Sequence, residues 1–254
     1  MEKAAQMGMN RTGIDMSPMD SKEMISGAQQ YPASPTSGQD HHSVERTYIH
    51  EADAVGSVPV PGTVKGALKS VMNKVTGRNP EMLINKLGER LAYERSGVRI
   101  YESFLTKCEA AMTEGKTPVK LPLDQIRQFR DQEAEHFHLL KECLQQLGAD
   151  PTAQTPDADV SGVASMGLMK VIMDPRTTVG QSLEAMLSIE LTDNAAWELL
   201  IKLAADMGMD DMVSRFQQAL HQEQVHLQEI RGWYEKTILT QATVGGQAAA
   251  TRHH

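Results

Sequence analysis

Cysteine pairs and an excess of basic residues are both missing from this chain of 254 residues. Its two cysteines, Cys108 and Cys143, form no CxxC pair, which excludes a disulfide framework and a thiolate-bound zinc or rubredoxin-type site. Lysine and arginine number 25 against 33 aspartates and glutamates, for a net charge of -8. Since nucleic-acid binders need a basic surplus to neutralise phosphates, we expect no nucleic-acid partner.

Long apolar runs and aromatic residues are also scarce. No segment approaches the roughly 20 apolar residues that span a bilayer, and the opening stretch MEKAAQMGMNRTGIDMSPMD lacks the apolar core of a signal peptide. We therefore expect no membrane partner and a location in the reducing cytoplasm. Aromatic residues make up 4% of the chain, whereas it holds 16 methionines, a balance that suits packed helices better than an all-β core.

The chain divides into a central helical domain and less regular ends. Residues 1–60 are rich in Ser, Gly, Pro and Gln without sustained periodicity, which predicts a largely disordered or draping N-terminal arm. Residues 61–78 predict a short accessory helix, packed on the main domain rather than on a membrane surface. We expect the helical domain over 79–240 and a flexible tail over 241–254.

Four long helices are predicted within this domain, over about 80–113 (A), 122–148 (B), 178–206 (C) and 209–238 (D). Short turns join A to B and C to D, so each pair is expected to form an antiparallel hairpin. The connection from B to C, residues 149–177, is much longer and includes a short Met-rich helix. Two hairpins joined by one long crossover predict an all-α, ferritin-like four-helix bundle rather than a simple up-and-down bundle.

Helix B contains two overlapping Glu-x-x-His pairs in the stretch DQEAEHFHLL, and their faces differ. The pair Glu133 and His136 shares its face with an apolar set: Ile126, Phe129, Leu140, Cys143 and Leu147. The pair Glu135 and His138 lies instead among polar residues. Since inward positions of a helix recur every three or four residues, Glu133 and His136 are predicted to face the core and the second pair to be solvated.

The other three helices carry matching polar residues on their apolar faces. Helix D has Glu223 and His226 on its apolar face, whereas His221 falls outside it. The apolar stripe of helix A has one charged member, Glu94, and that of helix C has one carboxylate, Glu190. The sequence thus predicts four carboxylates and two imidazoles that point into one bundle.

Four buried carboxylates repel one another and lose their hydration, which is prohibitively costly unless protons or cations compensate. Two divalent metal ions would compensate well, and carboxylate with imidazole suits iron or manganese. The i, i+3 spacing places the Glu and His of each pair side by side. The predicted metal ligands are Glu94, Glu133, His136, Glu190, Glu223 and His226.

This set resembles that of the ferritin-like di-iron carboxylate proteins, including bacterioferritins and rubrerythrins, in which two helices give one Glu each and two give Glu-x-x-His. The resemblance covers about 80–238. It implies that Glu133 and Glu223 bridge the metals, that Glu94 and Glu190 are terminal ligands, and that each His binds one metal. It also implies two iron ions, with manganese as the alternative, that react with O2 or peroxide. Without cysteine pairs, the two-domain electron-transfer form of rubrerythrin is excluded.

Three further residues are candidates for the surroundings of the metals. An aromatic residue, Tyr101 or Trp197, stands seven residues after each lone Glu. Packing one layer away from the metals is favoured for both over electron relay or radical roles. Asn194, one turn after Glu190, is either a hydrogen-bond partner of the ligands or a satisfied core amide.

Three functions follow from these patterns. The leading one is a di-iron oxidoreductase or ferroxidase-like protein, with its physiological substrate left open. The second is iron storage or sequestration in an assembled shell, although the long segment before helix A argues mildly against it. The third is a metal-free helical interaction protein whose inward acids are protonated or bridged by water. The expected partner is a second copy of the chain, in a homodimer or a larger homo-oligomer.

Overall fold

The computed structural model describes residue 13 and residues 16–32, 41–60 and 80–250, with side chains described as far as 243. These residues form seven helices and no strand: α1 (Pro18–Gln30), α2 (His41–Glu51), α3 (Pro80–Thr113), α4 (Leu123–Gln146), α5 (Pro156–Met173), α6 (Val179–Asp206) and α7 (Asp210–Ala250). The predicted all-helical class is confirmed. The accessory helix predicted over 61–78 lies outside the described residues.

The N-terminal arm contains two helices that its composition did not predict. Residues 5–54 form one compact unit, which includes α1 and α2, and residues 1–4 with 55–254 form another. None of the residues of α1 or α2 is buried. Helix α1 begins with Pro18 and has Asp20 in its first turn, and both are favourable at a helix start. These local signals promote a helix without any apolar periodicity.

Helices A to D of the sequence correspond to α3, α4, α6 and α7, and most of their ends agree within two residues. Gly148 after α4 and Gly208 after α6 have φ of 78° and 68°, a conformation that glycine adopts without strain and that ends helices. The last helix differs, because α7 continues to Ala250 beyond the expected end near 238. The first part of the predicted flexible tail is therefore helical.

Two apolar clusters form the core of the larger unit. Cluster I includes Ile100, Phe104, Ile126, Phe129, Met186, Ile189, Ile230 and Trp233. Cluster II includes Leu83, Leu87, Leu140, Leu144, Trp197, Leu200, Phe216 and Ala219. Cluster II comes first along α3 and α7, whereas cluster I comes first along α4 and α6. Helices α3 and α7 therefore run in the opposite direction to α4 and α6.

Helix α5 runs along the length of this core. The hydroxyl of Thr155, which caps α5, donates to the carbonyl of Asn85 at the cluster II end. Ile172, near the other end of α5, is fully buried in cluster I. The crossover therefore returns the chain to the start of α6 at the cluster I end. None of the described helices is both long and apolar enough to cross a membrane.

Candidate metal centre

All six predicted ligands lie in the layer between clusters I and II. Each of the four helices α3, α4, α6 and α7 contributes to this layer, because its residues there fall between its two apolar stretches. Every one of the six residues is at most 2% exposed. They are Glu94 on α3, Glu133 and His136 on α4, Glu190 on α6, and Glu223 and His226 on α7.

One group of donor atoms is formed by Glu94, His136 and Glu223, whose ligand atoms lie within 4.8 Å of one another. The Nδ1 atom of His136 is 2.7 Å from Oε1 of Glu223 and 3.8 Å from Oε2 of Glu94. Three different helices supply these three residues. The sequence motif on α4 therefore meets the carboxylate of the motif on α7.

The second group is formed by Glu133, Glu190 and His226. The Nδ1 atom of His226 is 3.5 Å from Oε1 of Glu133 and 3.9 Å from Oε2 of Glu190. The same nitrogen lies 3.1 Å from Oε2 of Glu223. Glu223 thus stands between the two imidazoles, and the two groups adjoin each other.

A buried ion pair that the sequence analysis missed borders the site. Asp193 is 1% exposed and forms a third group with Glu94, Glu133 and Glu223. Arg90 places Nη2 3.0 Å from Oδ1 of Asp193 and Nε 3.0 Å from Oε1 of Glu94. The spacings Glu190-x-x-Asp193 and Arg90-x-x-x-Glu94 were visible signals, since both place the second residue on the face of the first.

Burial and mutual repulsion set the protonation of these acids. Burial, reinforced by the neighbouring carboxylates, holds the pKa of Glu133 and Glu190 well above the ordinary value. Burial alone would lower the pKa of His136, but the carboxylates of Glu223 and Glu94 outweigh it and raise that pKa to about 11. Burial opposes ionisation of Glu223 as well, yet His226 and His136 lower its pKa below the ordinary value.

Several of these buried atoms lack a well-aligned hydrogen bond within the described part of the chain. They are Oε2 of Glu94, Oε2 of Glu190, both carboxylate oxygens of Glu223, and Nδ1 of His136 and His226. Polar atoms without partners are costly in a protein interior. Carboxylate and imidazole clusters arranged in this way could hold a metal ion.

The two aromatic candidates contact the side chains of predicted ligands. The hydroxyl of Tyr101 donates to Oε1 of Glu190 over 2.6 Å, and its ring meets that of His226 edge-on at 5.9 Å. Trp197 meets the ring of His136 in the same manner at 5.5 Å. Each imidazole is therefore held against an aromatic side chain.

Asn194 links the main chains of two candidate ligands. Its Nδ2 donates to the carbonyl oxygen of Glu190 at 2.9 Å and to that of Glu223 at 3.0 Å. The amide is satisfied by the backbone, and it ties α6 to α7 at the level of the site. The residues placed outside the site, Glu135, His138 and His221, are all exposed.

Gly97 is a third residue that the sequence analysis missed. A Cβ atom at this position of α3 would lie 2.0 Å from Oε2 and 2.8 Å from Cδ of Glu133. A side chain at this position would force the Glu133 carboxylate to move, so that carboxylate occupies the space that glycine leaves. The one available signal was a glycine one turn after Glu94, on the same helix face.

Gly97→Ala is expected to displace the Glu133 carboxylate. We expect the affinity for metal to fall about tenfold or more, since misplaced supporting groups cost 10–100-fold, and the metal-free protein to lose about 1–3 kcal/mol by overpacking. Urea unfolding and metal titration measure the two effects. Gly162→Ala in α5 is the control, because its Cβ would meet nothing within 4 Å. Equal behaviour of the two variants would contradict the steric account.

Comparison with known proteins identifies a family for this chain but no activity. A family model described as "Domain of unknown function (DUF892)" matches residues 83–243, a stretch that holds all six candidate ligands together with Arg90, Gly97 and Asp193. No curated protein and no solved structure matches the chain. What the site does must therefore be argued from its own chemistry.

Proposed function

The chain belongs to the DUF892 family, a domain family of unknown function in the ferritin-like superfamily, and we propose that it is a di-metal carboxylate protein that binds two Fe(II) ions and reacts with dioxygen or peroxide. Two adjacent iron ions supply two electrons together, which is the chemistry such a site contributes when loaded. Manganese suits the same donors and is the alternative metal.

The charge balance of the buried layer is the observation that carries the proposal. The layer holds five carboxylates and one guanidinium: Glu94, Glu133, Glu190, Asp193, Glu223 and Arg90. If all five carboxylates were ionised and both imidazoles neutral, four negative charges would be left without a counter-charge. Two divalent cations would balance these four charges, whereas unpaired charges in a protein interior are prohibitively costly.

The donor groups suggest which residues would hold each ion. We assign Glu94 and His136 to one metal and Glu190 and His226 to the other, each pair belonging to one of the two donor groups. Glu223, which lies near both imidazoles, would be shared. Glu133 would be the second shared ligand. Tyr101 would steady Glu190 through its hydrogen bond.

We also propose that α3, α4, α6 and α7 form a ferritin-like four-helix bundle. The order of clusters I and II along each helix supports this, because it makes α3 antiparallel to α4 and α6 antiparallel to α7. The course of α5 supports it further, since a crossover that runs the length of the core is the ferritin-like connection. The free, buried cysteines Cys108 and Cys143 are consistent with the proposed cytoplasmic location.

Anaerobic loading with Fe(II) tests the proposed function. After treatment with a chelator, the full-length chain should take up two Fe(II) ions per chain and, on exposure to oxygen, oxidise them while consuming O2. Parallel loading with Mn(II) compares the two metals. A chain that binds fewer than two ions, or whose iron is oxidised no faster than free Fe(II), would rule the proposal out.

Two alternative functions predict different experimental results. If the raised pKa values of Glu133 and Glu190 served only to keep the acids protonated, the chain would be a metal-free interaction protein, and metal analysis after chelator-free purification would find no metal. If the chain instead stored iron, light scattering would reveal a large closed assembly. A monomer or dimer would eliminate the storage shell.

The stability of the metal-free protein should fall as pH rises from about 7 to about 9. In this range His136, with a pKa of about 11, keeps in the folded state a proton that it loses on unfolding. The raised pKa values of Glu133 and Glu190 act in the same direction. For each proton that the folded state keeps and the unfolded state loses, the free energy of unfolding falls by about 1.4 kcal/mol per pH unit. Urea unfolding with a chelator present at several pH values measures this slope.

Bound metal should reverse that trend. Since metal ions displace the protons, metal affinity rises with pH, and the loaded protein should gain stability over the same range. The pKa of Glu223 is lower in the folded protein than its ordinary value of 4.5. Its ionised carboxylate therefore stabilises the fold at pH values above about 4.5, and this contribution is lost as the pH falls below that value. If stability changed with pH in the same way with and without metal, the assignment of these groups as ligands would be contradicted.

A further inference from the structure

A glutamine precedes the glutamate of each inward Glu-x-x-His motif. Gln132 stands before Glu133 in α4, and Gln222 stands before Glu223 in α7. Both glutamines are half-buried and lie at the edge of the layer that holds the six candidate ligands. Their side chains carry no charge, so they do not alter the charge balance of the site.

The two glutamine side chains make reciprocal contacts between the motifs. Oε1 of Gln222 lies 2.7 Å from Nε2 of His136. Oε1 of Gln132 lies 2.8 Å from Nε2 of His226. Each glutamine therefore contacts the histidine of the opposite motif and not that of its own. The two bonds tie α4 to α7.

The chemistry of the amide decides which ring nitrogen carries the proton. An amide oxygen can only accept a hydrogen bond, so the imidazole nitrogen that faces it must be the donor. A neutral imidazole has one N–H, and with the proton on Nε2 the other nitrogen, Nδ1, presents its lone pair. In both rings Nδ1 faces carboxylate oxygens, at 2.7 Å from Glu223 for His136 and at 3.1 Å for His226.

In the metal-free protein a proton on Nδ1 can join the ring to a neighbouring carboxylate, but without that proton Nδ1 and the carboxylate are both acceptors. Both become ligands when a cation lies between them, and the donor of the second ring nitrogen then orients the imidazole. A metal ion at this position would thus explain both the contact with glutamine and the orientation of Nδ1. The same arrangement occurs twice, once in each half of the layer.

We propose that Gln132 and Gln222 are positioning residues that keep His226 and His136, respectively, protonated on Nε2 and so direct each Nδ1 to a metal ion. This inference rests on the proposed metal-binding function and deepens it. It implies that neither half of the site is complete without both motif helices. A change on α4 should therefore alter the histidine on α7, and the reverse.

The surroundings of Gln222 determine the best substitution. A groove of about 780 Å³ between α4 and α7 is lined by Gln222 and His136, together with Glu135 and Arg215. Water in that groove could replace a truncated glutamine as the acceptor. Leucine removes the acceptor and keeps a comparable volume, so it excludes this rescue. Glutamate keeps an acceptor at the same reach and is the conservative counterpart.

The test uses the full-length chain loaded with Zn(II), a diamagnetic probe for the same donors, and labelled with 15N in the histidine rings. His136→Ala and His226→Ala assign the signals. In the unaltered protein both rings should carry a proton on Nε2 and bind zinc through Nδ1. Gln132→Leu should perturb the ring of His226, and Gln222→Leu that of His136. Each should weaken zinc binding about 10–100-fold, whereas Gln132→Glu and Gln222→Glu should keep the ring pattern.

Gln128→Leu and Gln218→Leu are matched controls, because both residues are exposed and lie one turn before the two glutamines. They should change neither zinc affinity nor the ring signals. The inference is overturned if zinc binds through Nε2, or if the Gln132 and Gln222 variants behave like these controls. A chain that binds neither zinc nor iron would instead defeat the proposed function. Should a leucine variant not fold, the corresponding Gln→Asn variant, which withdraws the same amide, must show the loss.

Discussion

Replacing Glu133 with glutamine is expected to abolish the binding of two metals per chain while the helical fold persists. The carboxylate is 2% exposed and belongs to the donor group of Glu190 and His226. Because Glu133 is also proposed as a shared ligand, its loss would leave neither metal position with a full set of ligands. Loss of an outer partner alone costs 10–100-fold in affinity, and we expect loss of a shared ligand to exceed about 100-fold. Iron oxidation should disappear with it.

The metal-free variant should be at least as stable as the unaltered protein, which separates metal binding from folding. Burial raises the pKa of Glu133, so the folded protein already disfavours its charge, and a neutral amide of similar size removes that penalty. Glu223→Gln should lose metal in the same way, although it also loses the contacts with both imidazoles. Metal titration and urea unfolding of each variant measure the two properties.

Glu135→Gln and His138→Ala are the matched controls for this prediction. Both residues belong to the same ten-residue stretch as Glu133, and both are exposed. Each control should bind two metals and oxidise iron as the unaltered chain does. The assignment of the site would be wrong if Glu133→Gln bound two metals with undiminished affinity, or if the controls lost them.

Arg90→Leu is expected to have the largest effect on the stability of the metal-free protein. Arg90 is 1% exposed and faces Asp193 and Glu94 at 3.0 Å each. Removing one partner of a buried ion pair leaves an uncompensated charge, which costs about 3–5 kcal/mol. Urea unfolding in the presence of a chelator should show this loss as a lower midpoint.

Two further variants separate the charge effect from a loss of packing. Adding Asp193→Leu to Arg90→Leu removes the stranded carboxylate and should recover part of the stability, because apolar replacements of a buried pair are often nearly neutral. Arg130→Leu disrupts a surface pair with Asp131 at 2.7 Å and should cost less than about 1 kcal/mol. No recovery in the double variant would mean that the side chain of Arg90 acts mainly through packing, for example on the ring of Tyr93.

Helical periodicity was enough to predict the main helices and six residues of the buried layer, although Arg90 and Asp193 were missed. Glu133 and Glu135 are two residues apart, and only the spacing of their apolar neighbours distinguished the buried carboxylate from the exposed one. The same rule selected Glu223 over its exposed neighbours. It did not predict α1 and α2, which bury none of their residues.

The sequence by itself determined which faces of α3, α4, α6 and α7 are apolar, and therefore which acids and imidazoles must share one interior. Only the tertiary structure decided which of them touch. The pairing of Arg90 with Asp193, the space that Gly97 leaves for Glu133, and the exchange of glutamines between the motifs all join residues of different helices. Such contacts depend on the rotation and axial offset of one helix against another, and the periodicity within a single helix contains no information about either.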